Sequence, residues 1–113
     1  MKVLKDPDQV LQIMNRKLDE LRKKFDAADG EEASEISGQE VAIIDIAGYI
    51  RHAIEDQGYF GVEDMECVYE YVDDAKEKDH EYRNPRDTWF MKSLAKRAAW
   101  AMQEIEKRME EEP

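Results

Sequence analysis

The stretch Val41-Ala42-Ile43-Ile44-Asp45-Ile46-Ala47-Gly48-Tyr49-Ile50 decides the fold, because eight of its ten residues are apolar. A helix that is apolar on nearly every side is buried among other helices. Just before this stretch, Ser37 and Glu40 form a Ser-x-x-Glu capping box, which predicts a helix start near residue 38. Gly58 predicts the helix end, since glycine favours the position that follows a helix. The segment 38–57 is therefore expected to be the central helix of a helical domain.

Three amphipathic helices are expected around this central helix. Residues 7–28 begin with an Asp-Pro cap signal, residues 63–79 with two carboxylates, and residues 85–110 with an Asn-Pro signal. The first helix carries apolar residues at alternating spacings of three and four, typical of a seam facing one partner helix: Leu11, Met14, Leu18, Leu21, Phe25 and Ala28. Gly30 is expected to stop it. With an acidic tail over 110–113, the pattern predicts an all-α, four-helix, up-down-up-down bundle that forms a single domain over 1–113.

The charge and the cysteine content exclude several classes of protein. The 113 residues include 28 acidic and 17 basic residues, and the net charge of −11 opposes direct binding to nucleic-acid phosphates. No apolar run approaches the roughly 18–20 residues that a membrane-spanning helix needs. Cys67 is the single cysteine, which excludes a disulfide scaffold and suits a reducing compartment. We therefore predict a cytoplasmic protein with no membrane association and no direct nucleic-acid contact.

The negative charge is concentrated in one part of the chain. Residues 55–81 contain eleven acidic residues and only two basic ones, Lys76 and Lys78. Six of these acids recur at helical spacings and are expected to form an outward strip on the third helix: Glu63, Glu66, Glu70, Asp73, Asp74 and Glu77. Such a strip either keeps the domain soluble or serves as a binding surface, with Tyr69, Tyr71 and Tyr82 as anchors.

The leading hypothesis is that this acidic helix 2–3 surface engages a basic protein partner, which clustered carboxylates attract over long range. In size and charge the chain resembles small acidic inhibitors, of phage type, that act on nucleic-acid-binding enzymes. Under this hypothesis the chain is not an enzyme, and it has no catalytic residue and no cofactor. The large apolar surface of the central helix leaves a homodimer as an open alternative.

A magnesium site is the enzymatic alternative. Carboxylates three residues apart share a helix face, and two such patterns occur: Glu31, Glu32 and Glu35 form E-E-x-x-E, and Glu70 and Asp73 form E-x-x-D. These patterns resemble the metal-binding helices of the all-α nucleoside-triphosphate pyrophosphohydrolases. The resemblance implies that the five carboxylates hold Mg²⁺ for the hydrolysis of a nucleoside triphosphate with release of diphosphate.

A basic face on the fourth helix is the third alternative. Its cations lie beside aromatic side chains, a combination that suits a stacked nucleotide or a phosphate: Arg86, Trp89, Lys92, Lys96 and Arg97. This face predicts a nucleotide-binding protein without turnover. The competing interpretation is that the aromatic residues belong to the core and that the cations pair with the third helix.

Two features of the central helix carry separate expectations. Asp45 and His52 are seven residues apart, so they share a face, and Asp45 is expected to be buried. It is read either as a functional carboxylate or as a structural partner of a neighbouring helix or of Arg51 or Arg97. Gly48 is expected to let a neighbouring helix approach closely.

Overall fold

The computed structural model describes residues 1–78 and 84–111 and contains four helices. The prediction of an all-α four-helix bundle is confirmed. Two short strands accompany the helices. The elements in chain order are β1 (Lys2–Leu4), α1 (Pro7–Phe25), α2 (Gly30–Gln57), α3 (Val62–Lys78), α4 (Pro85–Glu106) and β2 (Met109–Glu111). None of the described helices is both long enough and apolar enough to cross a membrane.

Three of the helix ends follow from their cap residues. The Asp6 carboxylate accepts a hydrogen bond from the Gln9 backbone N–H at 3.1 Å, and the Asn84 side chain accepts one from the Arg86 backbone N–H at 3.0 Å. Each satisfies a backbone donor that the first turn of a helix leaves free. Gly58 closes α2 with a φ of 85°, in the left-handed region that glycine adopts without strain. These predicted boundaries are confirmed.

The start of α2 differs from the expectation. The helix begins at Gly30 rather than at residue 38, so residues 31–35 form its first turns. Carboxylates in the first turn, here Glu31 and Glu32, are stabilised by the positive end of the helix dipole. The predicted cap Ser37 therefore lies inside the helix. Gly30, predicted to stop the first helix, instead begins the second, and α1 ends at Phe25 rather than at residue 28.

The end of the chain also differs. The fourth helix stops at Glu106, not at residue 110, and part of the predicted acidic tail is strand β2. This strand pairs antiparallel with β1, with Lys2 opposite Glu111. On its other side, β1 is held by the Leu4 backbone N–H, which donates to the Phe60 carbonyl at 2.8 Å. Residues 112–113, and residue 79 of the predicted third helix, lie outside the described residues.

Successive helices alternate in direction, as predicted for an up-down-up-down bundle. Hydrogen bonds between α2 and α3 join Asp45 to Tyr71 and Gln57 to Asp64, so residue numbers decrease along α3 where they increase along α2. These two helices are therefore antiparallel. The most extensive packing is between α2 and α4, while α1 packs mainly on α2 and α3 mainly on α4. The core lies between these layers and includes Val10, Met14, Ile43, Ile46, Ile50, Phe60, Val68, Val72, Ala98 and Ile105.

Helix α2 approaches α4 closely at Gly38, not at Gly48. A Cβ at Gly38 would overlap the carbonyl oxygen of Phe90 and lie 3.1 Å from the Leu94 backbone nitrogen, whereas a Cβ at Gly48 would meet nothing within 4 Å. The expectation for Gly48 was therefore wrong. The hydrophobic pattern placed both glycines in or beside the central helix, but only the three-dimensional packing decides which one faces α4.

Candidate functional site

The acidic strip of α3 is exposed to solvent. All six of its members are exposed: Glu63, Glu66, Glu70, Asp73, Asp74 and Glu77. Within residues 1–78 and 84–111, none of the six takes part in a salt bridge, and the five ion pairs found there involve other residues. The strip therefore presents carboxylates without a cationic partner from the described chain.

A groove lies beside this strip, between α2 and α3, and α4 forms its floor. We call it the α2–α3 groove. It encloses about 420 Å³. It is lined by Val41, Asp45, Tyr49, Cys67, Glu70, Tyr71, Asp74, Ala75, Lys78, Met91 and Leu94. The groove thus has an apolar floor and three carboxylates. Two of these, Glu70 and Asp74, belong to the strip, and the third is Asp45 of α2.

Two tyrosines form the walls of the groove. The Tyr71 hydroxyl donates a hydrogen bond to Asp45 Oδ2 at 2.6 Å. The rings of Tyr49 and Tyr71 are 6.1 Å apart at an interplanar angle of 77°, the edge-to-face arrangement that aromatic pairs favour. The tyrosine–carboxylate bond fixes the position of the Asp45 side chain and ties α2 to α3.

The electrostatics of the groove are negative. Burial raises the pKa of Tyr71, and its hydrogen bond to Asp45 raises that pKa further. Burial also raises the pKa of Tyr49, and the charge of Asp45 is the next largest cause, followed by smaller contributions that include those of Glu70 and Asp74. Both phenols therefore stay protonated at neutral pH. Three carboxylates of the groove, Asp45, Glu70 and Asp74, all raise the pKa of the Tyr49 hydroxyl.

The structure corrects the interpretation of Asp45 as a buried carboxylate. Asp45 is exposed, and its partner is Tyr71 of the neighbouring helix rather than a basic residue. Arg51 donates instead to Asn15, at 3.4 Å. His52, predicted on the same face, is exposed. The bond to Tyr71 of the adjacent helix agrees with the structural interpretation, and the functional interpretation stays a prediction.

The proposed magnesium ligands lie on two different helices. Glu31, Glu32 and Glu35 are in the first turns of α2, and Glu70 and Asp73 are on α3. A hydrogen bond with the Glu31 side chain raises the pKa of Glu35, and desolvation and the Glu31 charge add to the shift. In the part of the chain that the structure describes, no three His, Cys, Asp or Glu residues are grouped so that they could hold a metal ion. The magnesium site stays a prediction.

The basic face of α4 is divided by the structure. Arg97 is half-buried, its Nε and Nη2 both donate to Gln39 Oε1 at 3.0 and 2.6 Å, and its guanidinium lies 4.9 Å from the centre of the Trp100 ring. It lines a cavity between α1, α2 and α4, whereas Arg86 lines a separate cavity beside Phe25. Trp89 is half-buried, and Lys92 and Lys96 are exposed. The two arginines therefore do not share one binding site.

Sequence reasoning identified the strip but missed the groove. The available signal was the spacing of Asp45 and Tyr49, which are four residues apart and so share a face of α2. Their link to Tyr71 depends on the register between two antiparallel helices, which the sequence does not reveal.

No family model, curated protein or solved structure matches the chain. The fold and the site therefore define only a class, an all-α four-helix bundle with an acidic, tyrosine-lined groove between its second and third helices.

Proposed function

We propose that the chain is a small, non-enzymatic interaction protein that engages a basic protein partner through the acidic surface of α2 and α3. The observation that carries this proposal is the strip of six exposed carboxylates on α3, which form no salt bridge with the described residues. Carboxylates that are already paired within the chain would gain little from a partner. Unpaired ones attract a basic surface over a distance of about 8–10 Å at moderate salt.

The strip and the groove have complementary tasks in this proposal. Exposed charges mainly accelerate association and select partners of opposite charge, while aromatic groups in a pocket supply most of the binding free energy. The strip would steer the partner, and Tyr49 and Tyr71 would anchor it. The partner class that fits best is a basic protein of the cytoplasm, including proteins that themselves bind nucleic acid. The chain would then act as their inhibitor.

The test is capture of partners from a cell lysate at low and at high salt, read by mass spectrometry, with two variants of equal net charge. Reversing Glu66 and Asp73 to lysine changes the strip but no residue of the groove. Reversing Asp19 and Asp26 to lysine, on α1 and just after it, makes the same change in net charge elsewhere.

We expect the wild type and the Asp19/Asp26 variant to capture the same basic proteins, and to lose them as salt rises. The Glu66/Asp73 variant should capture several-fold less, since each surface ion pair contributes about 0.2–1 kcal/mol. Equal capture by the two variants would refute the proposal. Sedimentation of the purified chain separates a homodimer from this interpretation, because a homodimer would form without any basic protein.

A further inference from the structure

We propose that the α2–α3 groove receives an arginine side chain of the basic partner. This inference rests on the proposed function and deepens it, because it names the group that the groove recognises. It concerns direct contact inside the groove, whereas the strip acts at long range.

The two tyrosine walls of the groove suit a planar cation. A planar cation is attracted to the face of an aromatic ring, and guanidinium does this more often than ammonium. The rings of Tyr49 and Tyr71 stand nearly perpendicular, at 77°, so a guanidinium stacked on one ring points its edge towards the other. Tyr49 is also 38% exposed, which leaves access from solvent.

The groove also brings three carboxylates together. Glu70 and Asp74 are one helical turn apart on α3, and Asp45 faces them from α2. Asp45 is held in place by the Tyr71 hydroxyl through Oδ2, and no other hydrogen bond to its carboxylate occurs among the described residues. A carboxylate that is already positioned suits the forked N–H donors of arginine, which bind two oxygens in one plane.

The size and polarity of the cavity also fit an arginine side chain. About 420 Å³ accommodates a long side chain, and Val41 of α2 with Met91 and Leu94 of α4 offers apolar contact to its methylene groups. Arginine combines such an apolar stem with a charged head. Lys78 is the one basic residue among the described lining residues, and it makes no salt bridge with the described chain, so the described lining holds three carboxylates against one cation.

The surface beside the groove suits a segment of a protein better than a free small molecule. Next to the groove, α2 exposes 47% of Ile44, and a Cβ at Gly48 would meet nothing within 4 Å. An exposed isoleucine beside an open glycine gives a partner segment an apolar contact and room to lie close to α2. The arginine would enter the groove from that segment.

The experiment is an NMR titration of the full chain with three capped pentapeptides, in which arginine, lysine or the uncharged analogue citrulline stands between alanines. We expect the arginine peptide to shift the ring signals of Tyr49 and Tyr71 with a dissociation constant in the millimolar range. The lysine peptide should bind several-fold more weakly, and the citrulline peptide should not shift these signals. Equal shifts from the arginine and citrulline peptides would overturn the inference.

Two variants localise the effect. Asp45→Asn keeps an acceptor for the Tyr71 hydroxyl but removes the charge, so the affinity for the arginine peptide should fall at least threefold. Glu55→Gln, an exposed position of the same helix outside the groove, should leave it unchanged. If both variants bind equally, the groove is not the arginine site.

The two proposals fail in different ways. If the Glu66/Asp73 variant loses the lysate partner while the peptides do not distinguish arginine from citrulline, the proposed function stands and this inference falls. If the arginine peptide binds in the groove but the Glu66/Asp73 variant captures partners normally, the strip has no role and the proposed function falls.

Discussion

Replacing Gly38 by alanine tests the central packing of the bundle. The added Cβ would overlap the Phe90 carbonyl oxygen and lie 3.0 Å from its carbon and 3.1 Å from the Leu94 nitrogen. These are backbone atoms of α4, so relief requires a shift of the whole helix. Overpacking of this kind costs about 1–3 kcal/mol, against which alanine gains about 1 kcal/mol in helix propensity. Because the overlap is with backbone atoms, the upper part of that range, about 2–3 kcal/mol, applies, and we expect a net loss of roughly 1–2 kcal/mol in the free energy of unfolding.

Gly48→Ala is the matched control, because the same substitution is made in the same helix. Gly48 lies within α2 and a Cβ there meets no atom within 4 Å. Only the propensity gain applies, so this variant should be more stable than wild type by about 0.5–1 kcal/mol. The difference between the two variants then isolates the steric cost at Gly38, since the propensity gain is common to both.

The assay is urea unfolding of the full chain, followed by circular dichroism at 222 nm. For a small protein the slope is about 1–3 kcal/mol per molar urea, so the two midpoints should move in opposite directions by a measurable fraction of a molar. The two sites lie about 15 Å apart along the helix, so the double variant should show nearly additive changes. Equal midpoints for the two single variants would falsify the claim that α2 and α4 touch at Gly38.

Two further predictions concern other parts of the fold. Phe60 is 0% exposed and Tyr59 is 38% exposed. In urea unfolding, Phe60→Ala should therefore lower the free energy of unfolding by about 3–5 kcal/mol and Tyr59→Ala by less than about 1 kcal/mol. A similar loss for both variants would contradict this prediction. Hydrogen bonding from Arg108 lowers the pKa of Glu104, so this carboxylate stabilises the fold above its ordinary pKa of 4.5 and ceases to do so as the pH falls through its lowered value. Glu104→Gln should therefore be less stable than wild type by about 0.5 kcal/mol at pH 7 and equal to it at low pH, and a constant difference across pH would contradict the ion pair.

The helices that carry local signals were predictable from the sequence. Asp6 and Asn84 can each satisfy a backbone donor without help from the rest of the chain, so the starts of α1 and α4 follow from short-range chemistry. The start of α2 was not predictable in the same way. Residues 31–35 carry no apolar stripe, and Asp29, which precedes the helix, makes no side-chain cap hydrogen bond. The first turns of α2 form because they extend a helix whose later turns are buried in the core.

Features that depend on distant pairing were beyond local reasoning. Strands of three residues are too short to show an alternating pattern, and the pairing of β1 with β2 joins opposite ends of the described chain. The same limit applies to the groove. The acidic strip on α3 follows from helical spacing alone, whereas the contact between Tyr71 and Asp45 depends on how two helices align.

The pairing of β1 with β2 also has a consequence for the order of folding. Its partners are separated by more than one hundred residues of chain, so forming it early would close a very large loop at a high entropic cost. The helices form and pack through shorter-range contacts and bring the two strands together, so the strand pair is expected to assemble last. Amide protection at Lys5, whose backbone N–H donates to the Arg108 carbonyl at 3.1 Å beside β2, would then mark completion of the native state and distinguish it from a packed bundle with loose ends.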